Sequence, residues 1–320
     1  MVFGAILLIA GLATSTDLRA GVLAYFNFIV GVTGGIAIGR TWLLAKSHWG
    51  WIDVGLACFL AVGSAQLMVN FAAADATSEF HQNALTPWGN SNYVAGALVV
   101  GGLTLLTRAF SVRARGRSVV IVLVAVAWLS AILTLSRGGI VALGVGMIFL
   151  LWFIGRGALG KWGYRLGAAT AVVLAVALLD FATSLRGSLN NQVHRNVDIR
   201  IAFWDEAWSE FLSSPLMGTG WATFRSVTAD AFGMNQTFAH NLFLSFLQIG
   251  GILAVPFLAA VLALFLSALR RSAWLVAPVA AAFAISMTDP FFEGTVGNLL
   301  AIPPAVVAAY RPLCQRMEEL

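Results

Sequence analysis

Stretches long and apolar enough to cross a bilayer recur along almost the whole chain, and no other feature narrows the fold as far. A helix needs about 20 apolar residues to traverse the hydrocarbon core. Windows of that kind lie at residues 20–39, 51–70, 92–107, 118–135, 139–155, 166–182, 242–269, 273–288 and 290–310. A shorter run covers residues 2–13. Its Gly11-Leu12-Ala13 resembles a signal cleavage site, but no Lys or Arg precedes it, so it is taken as a further span. Composition agrees: 59% of the 320 residues are hydrophobic, 10% are charged, and the mean hydropathy is +0.86. Soluble domains carry about 25% charged residues. The expected fold is an all-α integral membrane protein with about ten transmembrane helices.

The basic residues test that count. With a cytoplasmic N-terminus, the inside loops hold Arg40 and Lys46; Arg108, Arg113, Arg115 and Arg117; Arg156, Lys161 and Arg165; Arg270 and Arg271; and Arg311 and Arg316. That is 13 of 19 basic residues, as the positive-inside rule requires. The net charge of +5 therefore reads as topology, not as a nucleic-acid surface. Arg19, Arg137, Arg186, Arg195, Arg200 and Arg225 fall outside, where most of the acids also lie, and topology alone does not explain them. Cys58 and Cys314 are too far apart in sequence to suggest a disulfide framework or a metal cluster.

One hydrophilic insertion, residues 183–240, interrupts the spans and falls outside. The expected organisation is thus spans 1–7 over residues 1–182, the external loop over 183–240, and spans 8–10 with a cytoplasmic tail over 241–320. Within the loop, DIRIAFWDEAWSEFLSSP (198–215) has Ile201, Trp204, Trp208, Phe211 and Leu212 at helical spacing, Asp198 as N-cap and Ser213-Ser214-Pro215 as the stop. Such a helix lies on the membrane surface or on the spans, and its tryptophans read as an interfacial anchor. Arg200, one turn before Trp204, is either part of that anchor or a cation held near the apolar boundary for a ligand.

Four other stretches carry polar chemistry. TLSRGGIVALG (134–144) sets Arg137 at an outer junction of two spans, where a charge entering the membrane costs roughly 2.5–3.5 kcal/mol. It reads as a snorkelling side chain or as a fixed cation facing a cavity, ready to pair bidentately with phosphate oxygens. LMGTGW (216–221) reads as a simple turn or, more weakly, as a nest of free amides for an anion. FAHNLFLSFLQIGG (238–251) places His240 and Asn241 where the external loop meets an apolar helix. Imidazole titrates near neutrality and suits it to take a proton from a hydroxyl nucleophile. Finally, GNSNYVAG (89–96) puts Asn90, Asn92 and Tyr93 at the outer start of a span, to cap it or to bind a sugar. TDPFFEG (288–294) puts Asp289 outside as a helix cap and Glu293 as a possible aid to an acceptor.

His81 and His194 show no ligand spacing and are given no role. Walker, HExxH, GxSxG and dinucleotide fingerprints are absent, as is a DxD metal motif, which favours a reaction without a metal or other cofactor.

The ordered set GNSNYVAG, LSRGG, R-x3-W-x3-W running into PLMGTGW-x2-F, and AHNLFLSFLQIGG resembles the O-antigen ligase and polymerase superfamily of bacterial envelope polysaccharide enzymes. The resemblance covers about residues 89–270, although family members commonly carry more spans than the ten counted here. It implies a multi-pass glycosyltransferase of GT-C type in the bacterial inner membrane, with its active site and large loop facing the periplasm. The implied donor is a glycan on a polyprenyl diphosphate such as undecaprenyl diphosphate. The acceptor is lipid A-core, protein or another glycan, and membrane lipids are the remaining partners. Arg137, Arg200 and His240 match the family's functional positions, the arginines to hold the diphosphate and His240 to act as base. Asn241, Asn92 and Glu293 are supporting candidates. The reading leans to a ligase, with a polymerase of the same superfamily as the alternative. A transporter or flippase of lipid-linked sugars is the reading from another class. Small-residue-rich spans and cavity-facing arginines suit it, but the chain has no internal two-fold repeat and its charges gather at one face.

Overall fold

The computed structural model describes residues 1–44, 50–73, 91–111, 116–154, 160–189, 193–224, 239–271, 275–289, 291–293 and 295–318. Asn90, His81, Arg225 and residues 226–238 of the external loop lie outside the described residues. Among those described, all regular structure is helical. In chain order the helices are α1 (Val2–Leu7), α2 (Leu18–Leu44), α3 (Trp51–Ala73), α4 (Ser91–Ser111), α5 (Arg117–Leu133), α6 (Arg137–Ile154), α7 (Gly160–Leu189), α8 (Val193–Ser213), α9 (Leu242–Gly250), α10 (Val255–Arg271), α11 (Val276–Ser286) and α12 (Thr295–Glu318). Short 3-10 turns cover Leu8–Leu12 and Gly251–Ala254.

Among the described residues the apolar windows lie mostly in helix, because apolar side chains offer the backbone few competing local hydrogen-bond partners. By length and composition, four stretches among the described residues are able to cross a membrane: Leu18–Leu44, Trp51–Ala73, Asn92–Phe110 and Leu242–Ala268. The last is interrupted by the 3-10 turn at Gly251–Ala254. The other apolar helices are shorter, including α11 and the first part of α12. Within the window 290–310, residues 291–293 form a turn, so Glu293 precedes α12. Helix α7 runs on to Leu189, past residue 183 where the external insertion was expected to begin. Helix α8 starts at Val193, five residues before Asp198, so Asp198 is an interior residue and not the N-cap that the pattern suggested.

The chain divides into two compact units built from discontinuous segments. One comprises residues 35–190, 265–285 and 300–320. Its centre is α4, packed by α3, α5 and α6, with α6 lying along α7. Small residues let these helices approach: a Cβ on Gly102 would come within 2.6 Å of the Trp128 indole nitrogen, and one on Gly139 within 2.7 Å of Ala95. Near the end of α4, the buried Arg108 forks onto buried Asp53 of α3, with Nε–Oδ1 at 2.9 Å and Nη2–Oδ2 at 3.0 Å.

The other unit comprises residues 1–34, 191–264 and 286–299. It is organised around Trp221, fully buried, whose indole N–H donates to the carbonyl of Leu8 at 2.8 Å. Phe28, Tyr25 and Phe246 surround its ring at centroid distances of 5.2, 5.7 and 6.3 Å. Phe257 closes the group against Phe28 and Phe246. A second apolar cluster, Phe203, Ala207, Phe224 and Ala239, joins α8 to the residues that lead into α9. Buried aromatic faces of this size dominate packing energy, and here they pack α8, which carries Arg200, against the segment that holds His240.

Candidate functional site

The start of α9 sets the geometry. Asn241 is its N-cap: Oδ1 accepts from the amides of Phe243 at 3.0 Å and Leu244 at 3.2 Å, which satisfies two of the orphan donors of a helix start. Its Nδ2 donates to the carbonyl of Met287 at 3.5 Å, tying the cap to the turn between α11 and α12. His240, one residue earlier, has φ 54°. A non-glycine residue in that region costs about 1–3 kcal/mol and persists only where its surroundings demand it.

What faces the imidazole is a carboxylate from that same turn. Nδ1 of His240 lies 3.3 Å from Oδ1 of Asp289, and Phe203 stacks on the ring at a centroid distance of 6.2 Å with planes 21° apart. Asp289 is 1% exposed, so its charge needs partners inside the protein. Nη2 of Arg200 approaches the same Oδ1 at 3.7 Å, and Thr288 Oγ1 donates to Oδ2 at 3.2 Å. An ionised carboxylate only accepts, so the imidazole proton belongs on Nδ1 and the basic lone pair on Nε2. The Arg200 side chain is 27% exposed, which leaves its guanidinium partly open beside the imidazole. A hydroxyl delivering a proton and an anion needing neutralisation are the two things such a site can serve.

The remaining sequence candidates are placed as follows. Arg137 is the half-buried first residue of α6, in the other unit. Ser136 caps that helix by accepting from the amide of Gly139 at 3.0 Å, and Leu135 before it has φ 52°. A cation is disfavoured at a helix N-terminus, while an anion there gains from both dipole and amides. Asn92 is in the first turn of α4, partly buried, in the same unit as Arg137.

The LMGTGW turn does not present free amides. Gly218 and Gly220 adopt φ 71° and 106°. The amide of Gly218 donates to Ser214, that of Thr219 to Gln248 at 2.8 Å, and that of Gly220 to Ile249 at 3.2 Å. The turn thus satisfies carbonyls exposed where α9 breaks, and the anion nest is set aside in favour of the turn. A Cβ on Gly218 would lie 2.5 Å from the backbone of Ile249, so the close approach needs glycine. Thr219 also donates to Glu210 at 3.0 Å; burial pushes that carboxyl up and the Thr219 and Gln248 contacts hold it back.

Residues 119–259 match the family model described as O-Antigen ligase. This match supports the O-antigen ligase and polymerase superfamily and an enzyme of ligase or polymerase type in a bacterial membrane. No curated protein matches the chain. The matched segment contains Arg137, Arg200, His240 and Asn241, whereas Asn92 precedes it and Asp289 and Glu293 follow it.

Asp289 is the residue that sequence reasoning undervalued. It was assigned to helix capping, yet it is the acceptor that His240 and Arg200 share. Its separation of 49 residues from His240 leaves no spacing signature. The one available signal was an acid in a short external turn after an apolar helix, which is common in any membrane protein. Phe203 was missed for the opposite reason, since an aromatic residue on an amphipathic helix reads first as packing.

Proposed function

We propose that the protein is a periplasm-facing, metal-independent glycosyltransferase of GT-C type that moves a glycan from a polyprenyl diphosphate to an acceptor hydroxyl, as an O-antigen ligase does. The observation that carries this reading is the pairing of His240 with Asp289 beside the partly exposed Arg200. Outside the cell membrane nucleotide sugars are not at hand, so the donor must arrive on a lipid that also supplies the leaving group. The acceptor oxygen attacks the anomeric carbon while its proton passes to Nε2 of His240. The carbon–oxygen bond to the diphosphate breaks, and its electron pair stays on the departing polyprenyl diphosphate. Direct displacement inverts the anomeric centre.

The chain's own groups divide the work. Asp289 holds the imidazole in the tautomer whose Nε2 is basic and stabilises the imidazolium that forms. Arg200 meets the diphosphate, and fixed positive charge against a departing anion is usually the largest catalytic contribution; the resemblance of the LSRGG stretch gives Arg137 the same role. Asn241 keeps the base in place through the α9 cap and its link to Met287. Lipid A-core is the preferred acceptor class; a second lipid-linked repeat would make the same chemistry a polymerase.

The test is transfer by the purified protein from a lipid-linked glycan to candidate acceptors, with a chelator present. Because residue 240 has positive φ, His240→Asn keeps a side chain that tolerates the backbone. Transfer should need His240 and persist in chelator. Native rates in the variant would remove the base, and movement of the lipid across liposomes without any glycosidic product would favour a transporter.

A further inference from the structure

Helices α6 and α7 lie along each other within one unit, yet their facing sides do not close completely. Between them runs a groove of about 460 Å³, lined by Ile140, Gly144 and Leu151 of α6 and by Gly167, Ala171 and Leu178 of α7. The α6 residues recur at helical spacing, so they share one side of that helix. From Ile140 to Leu151 the groove follows about 16 Å of helix, at a rise of 1.5 Å per residue. The α7 residues run the other way over the same length: Leu178 packs on the cluster that holds Ile140, and Gly167 stands beside Leu151.

Small residues shape the groove. A Cβ on Gly144 would stand 2.8 Å from that of Ala175, so the two helices touch along the floor. At the far end there is room, since the atoms nearest a Cβ on Gly167 are those of Leu151, at 3.5 Å and beyond. Trp128 of α5 adds a wall, and its indole nitrogen is buried against Gly102, which leaves the ring carbons for the groove. Leu174, 57% exposed, stands at the open side. Thr170 is the one hydroxyl among the described lining residues, so what fits here is a hydrocarbon chain. Charge marks the other end. Arg137 is one turn before Ile140, and helical side chains lean towards the N-terminus, so its cation belongs above the mouth of the groove. Asp180, the acid of α7 nearest that end, is exposed and lies two residues from Leu178, on a different side of the helix.

We propose that the α6–α7 groove grips the first few isoprene units of the donor's prenyl chain, next to the diphosphate, and leaves the rest of that chain in the bilayer. The inference rests on the reading of the donor as a polyprenyl diphosphate. An apolar channel that begins under a cation matches a lipid with an anionic head and a slender tail, and a diphosphate brings more charge to Arg137 than a phosphodiester does. Three bonds of an extended chain cover at most about 3.6 Å, so roughly three isoprene units of four bonds each fill a groove of about 16 Å. The chain passes from one hydrocarbon environment to another, so close packing decides the preference and not the hydrophobic effect. Gly167 and Ala171 supply the recesses that a methyl-branched chain needs.

The experiment places the full chain in phosphatidylcholine nanodiscs with either of two prenyl-diphosphate-linked glycans that carry a diazirine, one in the second isoprene unit and one near the tail end. On illumination the near probe should label residues within 140–151 and 167–178, and the tail probe should label them far less. Equal labelling by both probes, or labelling confined to other helices, overturns the proposal. So does a photoreactive phosphatidylglycerol that labels the groove and is not displaced by unmodified prenyl diphosphate. A substitution gives the second measurement. Gly167→Leu fills the far end and should raise the KM of a long-chain donor about tenfold, the size of one misplaced apolar group in a pocket, with kcat held. A donor with a single isoprene unit does not reach that end, so its KM should not move. No effect on the long donor, or the same effect on both, overturns the proposal, and labelling of the native protein decides if the variant does not fold. Labelling of the groove without any glycan transfer supports the lipid site and removes the enzyme assignment; transfer with labelling elsewhere keeps the enzyme and removes the groove.

Discussion

Asp53 and Asp289 are both buried to 1% exposure and both face an arginine, yet the two carboxylates are held in different ways. Asp53 is closed on all sides: Arg108 forks onto both oxygens at 2.9 and 3.0 Å, the amide of Gly50 donates at 3.1 Å, and the guanidinium lies 5.3 Å from the Trp42 ring centroid. Asp289 instead shares one oxygen between His240 at 3.3 Å and Arg200 at 3.7 Å. Charge-assisted bonds are ordinarily about 2.7–2.9 Å, so the first pair is at its optimum and the second stands short of it. A saturated fork joins α3 to α4 and has nothing left to offer a ligand. A loose pair with a partly exposed arginine keeps electrostatic capacity for one.

That contrast can be broken by exchanging activity and stability as readouts. The largest effect expected is on chemistry: His240→Asn should lower transfer by about 10²–10⁴-fold while the unfolding temperature stays close to native. A comparable loss of stability would mean that His240 is as structural as Arg108. Next comes Asp53→Asn, which strands the Arg108 guanidinium and should cost about 3–5 kcal/mol of stability, read by denaturant unfolding in detergent, with transfer per folded molecule unchanged.

Glu293 sharpens the comparison from the third direction, because it is a buried acid that meets no arginine among the described residues. Its neutral form is the one the fold favours, so native stability should be full below about pH 4.5 and fall as pH rises towards 7. The stability of Glu293→Gln relative to native should therefore grow across that window by on the order of 3 kcal/mol, and a difference independent of pH would refute the burial argument. The smallest effect is expected for Arg200→Lys, which keeps the charge but loses the planar fork. Apparent donor affinity should weaken about tenfold, roughly 1.4 kcal/mol, with no change in stability.

Much of this was legible in the sequence, and the reason is locality. Hydropathy is a property of neighbours, so each apolar window lies in helix, and Ser213-Ser214-Pro215 marks the end of α8. Asn241 was legible only as a polar residue at the start of an apolar run, and the structure makes it the cap of α9. Boundaries governed by packing were less readable. Asp198 has the chemistry of a cap, but α8 begins at Val193 and carries it inside. The two glycines of LMGTGW permit an anion nest in isolation, and whether their amides are free depends on α9, whose Gln248 carbonyl, 29 residues from Thr219, lies at a break that needs donors.

By itself the sequence determined an all-helical chain with membrane-crossing segments and singled out Arg137, Arg200 and His240, because periodicity, hydrophobicity and misplaced charge are each written over a few residues. Only the tertiary structure decided that Asp289 meets the histidine, that the glycine turn satisfies α9, and that Glu293 lies buried with no hydrogen-bond partner among the described residues. Those facts depend on which distant segments share a dry interior, where pairing, desolvation and charge act over a few ångströms of space and leave no imprint on spacing along the chain.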